Sequence, residues 1–307
     1  MIFLYPEFKR ITLEKALSEY LNIKKGLKPQ TKQFYLETVS RYLQDWKRRR
    51  LVTITKQEVA DRHRAISSHA PYCANRAMDI FQAVWNFTAI EHPEMPRNPA
   101  EIYRKQGGRN KEVRRKQDLK PSQIPHFWHA LNSVDPIIGL YLRIIYFTGM
   151  RRRECIRLRW QDVDWVDLKI TINETKNSRP LILPITEQLK NLLDDLHSYR
   201  TSEWLFASRR TTTHWQEPRK AVERVRAVSG VHFTVHSLRN TFITVAKRQV
   251  RLPDEEIKAL VNHSVGNDVT EGYAAPLGVN DLRNPAQLVA DRLESLTKEI
   301  DSKSSLC

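Results

Sequence analysis

Cysteine is scarce and badly placed for structural chemistry. Cys73, Cys155 and Cys307 are far apart and odd in number, and no C-x-x-C pair occurs. A disulfide framework and a structural zinc site are therefore not expected, which fits a reducing cytosol. Long apolar runs are missing as well, since nothing approaches the ~20 apolar residues that span a bilayer. The opening MIFLYPEFKR has a short apolar patch but no long apolar stretch or cleavage site, so it does not read as a secretory signal. There is no G-x-x-x-x-G-K-S/T loop to cradle a nucleotide, no internal repeat and no low-complexity tract. Acidic residues are outnumbered: 35 Asp and Glu face 51 Lys and Arg, a formal net charge of +16 over 307 residues. So basic a chain suits a polyanionic partner, because neutralising phosphates releases condensed counterions. Composition alone also allows a plain solubility charge.

The length suggests two domains. The first third reads as helices. Thr12 is placed to cap a segment with Leu13, Ala16, Leu17, Tyr20 and Leu21 on one side, and Thr31 to cap a second with Tyr35, Val39, Tyr42 and Trp46. Thr55 and Glu58 form a capping-box pattern before a third. A fourth runs through Ala74, Ala77, Met78, Phe81, Val84, Trp85 and Thr88. These stripes are core. Lys47, Arg48, Arg49 and Arg50 suit a solvated face or phosphate contacts. After His92, prolines, paired glycines and dense positive charge mark a linker. A second domain follows, with apolar helical stretches through Phe127, Leu131, Ile137, Leu140, Ile144 and Ile145. A strand pair is expected at 169–173 and 180–184, joined by the polar turn Glu174-Thr175-Lys176-Asn177-Ser178-Arg179. Mostly helices resume from Thr186.

Three clusters carry candidate chemistry. They are Thr148-Gly149-Met150-Arg151-Arg152-Arg153-Glu154 with Leu158, Trp160, Asp162, Val163 and Asp164 behind it, His236-Ser237-Leu238-Arg239-Asn240-Thr241-Phe242, and Leu260-Val261-Asn262-His263-Ser264 ending in Tyr273. Singly, each has a plain explanation: a solvated charge run, a paired arginine, a core histidine, a packing tyrosine. Together they resemble the tyrosine recombinase, or phage integrase, family. TGMRRRE with LRWQDVD is similar to that family's TGxRxxE box and its continuation. HSLRNTF is similar to its HxLRxTF box, and LVNHS with Tyr273 to its LGHS…Y box. Lys176 stands where the family has a lysine in a β-turn. The resemblance runs from Thr148 to Tyr273, with four motifs in order.

The resemblance implies a mainly α fold with a small β-sheet. A helical core-binding (SAM-like) domain over 1–104 and a basic linker over 105–118 would precede a mixed α/β catalytic domain over 119–283. A C-terminal helix and tail would occupy 284–307. It implies a site-specific recombinase or integrase, of a phage or mobile element, that cuts and rejoins DNA through a 3′-phosphotyrosyl bond. Tyr273 would be the nucleophile and Lys176 the proton donor to the 5′-oxygen. His236 would assist proton transfer and His263 would hydrogen-bond the phosphate.

The residue types suit that chemistry. Two guanidinium groups, for which Arg151 and Arg239 are the candidates, can hold the non-bridging oxygens and neutralise charge in the transition state. A tyrosine ester can be kept and later reversed. General-acid help to a poor leaving group is typically worth ~10²–10⁴ in rate. Glu154 supports Arg151 or the surrounding fold. Arg152 and Arg153 are backbone-contacting or surface residues. The ester stores the bond energy, so neither ATP nor a metal ion is needed, and Asp162 and Asp164 match the structural tail of the first box rather than a metal site. No cofactor is expected. The expected partners are double-stranded DNA sites, further copies of the chain in a tetrameric synapse and DNA-bending accessory proteins, with no membrane; the expected place is the bacterial cytoplasm, on the nucleoid.

Several features depart from the family pattern. Asn240 replaces a frequent His, Asn262 replaces the usual Gly before His263, and the interval from His263 to Tyr273 is one residue longer than the common spacing. Gly266 and Asn267 would host the extra residue in a turn. Asn284-Pro285 would open the last helix, whose stripe of Val289, Leu293, Leu296 and Ile300 suits packing on its own domain or on a neighbouring subunit. No additional amino-terminal arm-binding domain is expected ahead of the first helices, whether missing by nature or by truncation. Two rivals share many of these features: a type IB topoisomerase with the same tyrosine chemistry, and a DNA-binding protein without catalysis.

Overall fold

A computed structural model describes residues 7–112, 118–173, 175, 180–208, 213–216, 218–262 and 277–298. The chain divides into two units, Met1–Arg114 and Arg115–Cys307.

The first unit is helical: α1 (Leu13–Ile23), α2 (Pro29–Tyr42), α3 (Lys56–Ser67), α4 (Pro71–Glu91) and α5 (Pro99–Lys105). Thr12 caps α1 through its hydroxyl, and Thr55 with Glu58 forms the expected reciprocal box ahead of α3. The expectation for Thr31 fails. α2 starts at Pro29 with Lys28 as its cap, because proline at the first helical position has its torsion pre-set and lacks only an N–H that would be orphaned there. α4 is the central element. Its Ala74, Ala77, Phe81, Val84 and Trp85 are buried against Leu13, Leu17, Val39, Trp46 and Val59. The basic run is partly spoken for: Lys47 pairs with Glu14 at 3.1 Å and Arg49 with Glu58 at 2.5 Å. Arg48 and Arg50 stay exposed.

The stretch expected as linker from 105 onward is folded onto this unit as far as residue 112. Asn110 is held by four bonds: its N–H donates to Asn75 Oδ1 at 3.0 Å, its carbonyl accepts from Asn75 Nδ2 at 3.0 Å, and its side-chain amide donates to Ser67 Oγ and Pro71 O. Arg109 forks onto Asp79 and also reaches Glu112. Gly108 lies flat on the Tyr103 ring, where a Cβ would come within 2.3 Å of a ring carbon. Charge and glycine that read as solvated linker are here the means of attachment.

The second unit contains α6 (Ile124–Ala130), α7 (Pro136–Thr148) and α8 (Arg152–Ile156). The strands β1 (Val163–Asp164), β2 (Lys169–Ile172) and β3 (Leu181–Pro184) follow. Next come α9 (Glu187–His197), α10 (Arg219–Ser229), α11 (Val235–Val245), α12 (Asp254–Leu260) and α13 (Arg283–Lys298). The sheet is an antiparallel meander in the order β1-β2-β3, with Val163 opposite Ile170 and Ile172 opposite Leu181. Ile170, Ile172, Leu181 and Leu183 face the core, while Ile182 faces out. Of the expected turn at 174–179 only Thr175 is described, and it is buried. α7 is apolar almost all round, as a helix enclosed on most sides must be. α13 opens at Arg283, one residue before the expected Asn284, and Pro285 sits in its first turn, where a missing N–H does no harm. Its Val289, Ala290, Leu293 and Leu296 are fully buried in the second unit's core, and Tyr146 donates its hydroxyl to Leu293 O at 3.1 Å. Through residue 298 this helix belongs to its own unit. Among the described residues no helix is long and apolar enough to cross a membrane.

Candidate active site

The site is built where three chain ends meet: the close of α7, the start of α11 and the close of α12. α7 ends at Gly149, whose φ of +63° is left-handed and nearly free of cost only for glycine. A Cβ there would also stand 2.8 Å from the Phe242 ring and 3.2 Å from Val261. So close a turn delivers Arg151 to the mouth of the site. Its backbone N–H donates to Glu154 Oε2 at 2.9 Å, its Nη1 donates to Glu154 Oε1 at 2.8 Å, and its Nη2 donates to Asn262 O at 2.7 Å. Glu154 is 3% exposed, so its charge is spent on Arg151.

Arg239 comes from α11 and is 2% exposed. Its fork donates to Gly149 O and to Val261 O, each at 2.6 Å. One planar guanidinium thus ties the close of α7 to the close of α12. Among the described residues no carboxylate bonds it directly. Burial, and then the Arg151 charge, bring its pKa down to about 10, with Glu154 opposing. It remains a cation at neutral pH. The two arginines repel each other, and among the described residues Glu154 is the one carboxylate that offsets them, so the described part of the site holds surplus positive charge that an anion would relieve.

His236 lies on the solvent side of α11 near both arginines. Its pKa is held below the ordinary imidazole value by partial burial first, then by Arg239 and Arg151. At pH 7 it is neutral and able to accept a proton. The unfolded chain therefore takes up the proton first as pH falls through about 6.5. This group withdraws stability below that point until its folded-state value is passed. A proton NMR titration of the free protein is expected to give His236 a midpoint below 6.5. Adding inorganic phosphate should move it upward, since an anion between the guanidiniums favours imidazolium. A free-protein midpoint at or above 6.5 contradicts this electrostatic picture.

The structure brings together Arg151, Glu154, His236 and Arg239, and places Asn262 beside Arg151. Lys176, His263 and Tyr273 lie outside the described residues. Arg152 is half-buried and Arg153 exposed on α8. The carboxylates weighed as metal ligands are otherwise engaged: Asp162 accepts from the Arg159 N–H, and Asp164 accepts from Val166 and Asp167 N–H and pairs with Lys169. Sequence reasoning missed the carbonyls of Gly149, Val261 and Asn262 as partners of the arginines. The signal for Asn262 was its departure from Gly: its φ is +46°, in the left-handed region that asparagine tolerates better than most residues.

Such a site, two buried or half-buried guanidiniums with a neutral imidazole on a helical scaffold bearing a small sheet, has the charge and donors that suit a phosphate-like anion. The sequence profile of the phage integrase family matches residues 117–277, and the chain belongs to that family. It is 30% identical over 154 residues to the prophage integrase IntF of Escherichia coli, a match covering 47% of this chain and 32% of that protein. It is 29% identical over 139 residues to a putative tyrosine recombinase XerC of Pseudomonas aeruginosa, covering 39% of this chain and 32% of that one. The matches thus span about a third of the length of each curated relative. The fold resembles a lambda integrase dimer bound to a COC′ core site, with a TM-score of 0.71 at 19% identity, over 88% of this chain and 79% of that chain. It also resembles a Tn1549 transposon integrase in complex with circular intermediate DNA, with a TM-score of 0.69 at 15% identity, over 88% and 97% of the two chains.

Proposed function

We propose that this protein is a site-specific DNA recombinase or integrase, of a phage or mobile element. In this reading it cleaves and rejoins DNA strands through a covalent 3′-phosphotyrosyl intermediate, without metal or ATP. The observation that carries the reading is that Arg151, Arg239 and neutral His236 lie close enough to be electrostatically coupled, with Glu154 the one carboxylate bonded there among the described residues. Arg151 and Arg239 would grip the non-bridging oxygens of the scissile phosphate. The Tyr273 oxygen would attack phosphorus, forming the O–P bond as the bond to the deoxyribose 5′-oxygen breaks. The phenolic proton would pass toward His236, and Lys176 would protonate the departing oxygen. His263 would hydrogen-bond the phosphate. The reverse attack by a 5′-hydroxyl, from the same or a partner duplex, would restore the phosphodiester. Family membership supports each of these assignments, as does the match of the four motifs.

The domain reading goes with it: a core-binding domain over the first unit and a catalytic domain over the second. The partners would be two DNA duplexes and further copies of the chain in a tetrameric synapse, assisted by DNA-bending proteins, in the bacterial cytoplasm on the nucleoid. The test is adduct capture. The full chain is incubated with a library of DNA sites, denatured, and the trapped DNA and linked peptide are sequenced. A common DNA site joined to the peptide containing Tyr273, formed equally well in excess chelator, is the expected result. No adduct on any DNA, or loss of the adduct with chelator, sinks the proposal.

A further inference from the structure

Whatever fixes α11 in height and rotation decides where His236 and Arg239 sit. Arg239 itself is tied at one side, to Gly149 and Val261. At the start, Thr234 and Ser237 cap the helix reciprocally. A third tie lies away from the site. Thr241 is 1% exposed, two residues past Arg239. Its hydroxyl donates to Ser237 O at 2.9 Å and accepts from the Leu119 N–H at 2.8 Å. A threonine inside a helix commonly gives its hydroxyl to the preceding turn. Here the oxygen also satisfies a buried amide that would otherwise be orphaned. Leu119 has its side chain in the core. It stands at the point where the chain arrives in the second unit, just after residues 113–117. The first unit's last described residues are held too, by Asn110 and Glu112 on Asn75.

We propose that Thr241 is a positioning residue that registers the arriving chain on the catalytic helix. Load on residues 113–117, when both units hold DNA, then reaches His236 and Arg239 through Leu119. The chemical consequence rests on the recombinase reading; the mechanical link does not. Thr241→Val keeps the shape and removes the acceptor, and Thr241→Ser keeps the hydroxyl. Each is made in the full chain, with and without a short Gly-Ser insertion between Arg115 and Lys116. Single-turnover cleavage is measured at saturating DNA, on a duplex carrying the site recovered by adduct capture. Thr241→Val is expected to slow cleavage about tenfold or more, as a small misplacement of catalytic groups does. DNA affinity should hold within about twofold, and Thr241→Ser should restore the rate. The insertion should slow the wild type similarly yet add less than about twofold in Thr241→Val, since two breaks in one connection do not add. Fully multiplicative effects, or wild-type cleavage in Thr241→Val, overturn the proposal. Hydrogen exchange of the Leu119 amide serves as a readout without chemistry. DNA binding should change it in the wild type and in Thr241→Ser, but not after the insertion. Equal exchange in every form overturns the link even where no adduct forms, whereas a missing wild-type adduct with the expected exchange pattern condemns only the recombinase reading.

Discussion

Arg239→Met should fold and bind DNA yet lose at least about 10³ of the cleavage rate, the order of loss seen when a preorganised donor or charge clamp is removed from a transferring phosphoryl group. The folding half of that expectation follows from opposing effects at one residue. Removing the guanidinium leaves Gly149 O and Val261 O without their donor, at roughly 1–3 kcal/mol for each buried acceptor. It also removes a buried cation that no carboxylate bonds among the described residues, whose desolvation penalty is several kcal/mol. The two effects are of similar size, and methionine fills the same space with a flexible apolar chain. Denaturant midpoints should therefore move little, with an unchanged m-value. Arg239→Lys is the sharper variant: it keeps the charge, but one ammonium cannot reproduce the planar fork that reaches both carbonyls and, in the proposed reading, would also hold a phosphate. It too should lose most of the rate. Cleavage within tenfold of wild type in Arg239→Lys would show that charge alone suffices and that the fork geometry is incidental.

How much of this was legible beforehand depends on the range of the interaction. Periodic burial is local, so the stripe from Ala74 to Thr88 gave α4, and the three-residue spacing of Thr55 and Glu58 gave the cap of α3. Thr31 misled because any threonine ahead of a stripe looks like a cap, and only Pro29 two residues earlier fixes the true start. β1 is two residues long, too short for alternation to register. Glu154 was legible as the support of Arg151 because they lie three residues apart at a helix start. The carbonyls that hold Arg239 were not, since a backbone oxygen carries no identity in a sequence and these lie 90 and 22 residues away. The same blindness applies to 105–112, where Asn75, Asp79 and Ser67 turn a linker-like composition into bound chain. The roles of Lys176, His263 and Tyr273 rest on their motifs.

Tyr273→Phe is expected to abolish the denaturation-resistant protein–DNA adduct, a loss on the order of 10⁴ or more and bounded by the assay, as removal of a nucleophile commonly is. Phenylalanine has no oxygen to attack phosphorus, and a water attacking in its place would leave a hydrolysed strand rather than a protein–DNA adduct. A phenol with an unperturbed pKa near ~10 is almost wholly protonated at pH 7. In the proposed reading, the charge of Arg151 and Arg239 and the neutral imidazole of His236 would give its proton both a reason to leave and somewhere to go. Binding should be nearly untouched. One neutral hydroxyl contributes about 0.5–1.5 kcal/mol, at most roughly tenfold in affinity, against a polyelectrolyte interaction carried by many basic side chains. The two measurements separate because the hydroxyl acts in the transition state while the arginines act in both states. An adduct that persists in Tyr273→Phe would show that another residue is the nucleophile. Loss of binding together with the adduct would place Tyr273 in holding the DNA rather than in cutting it.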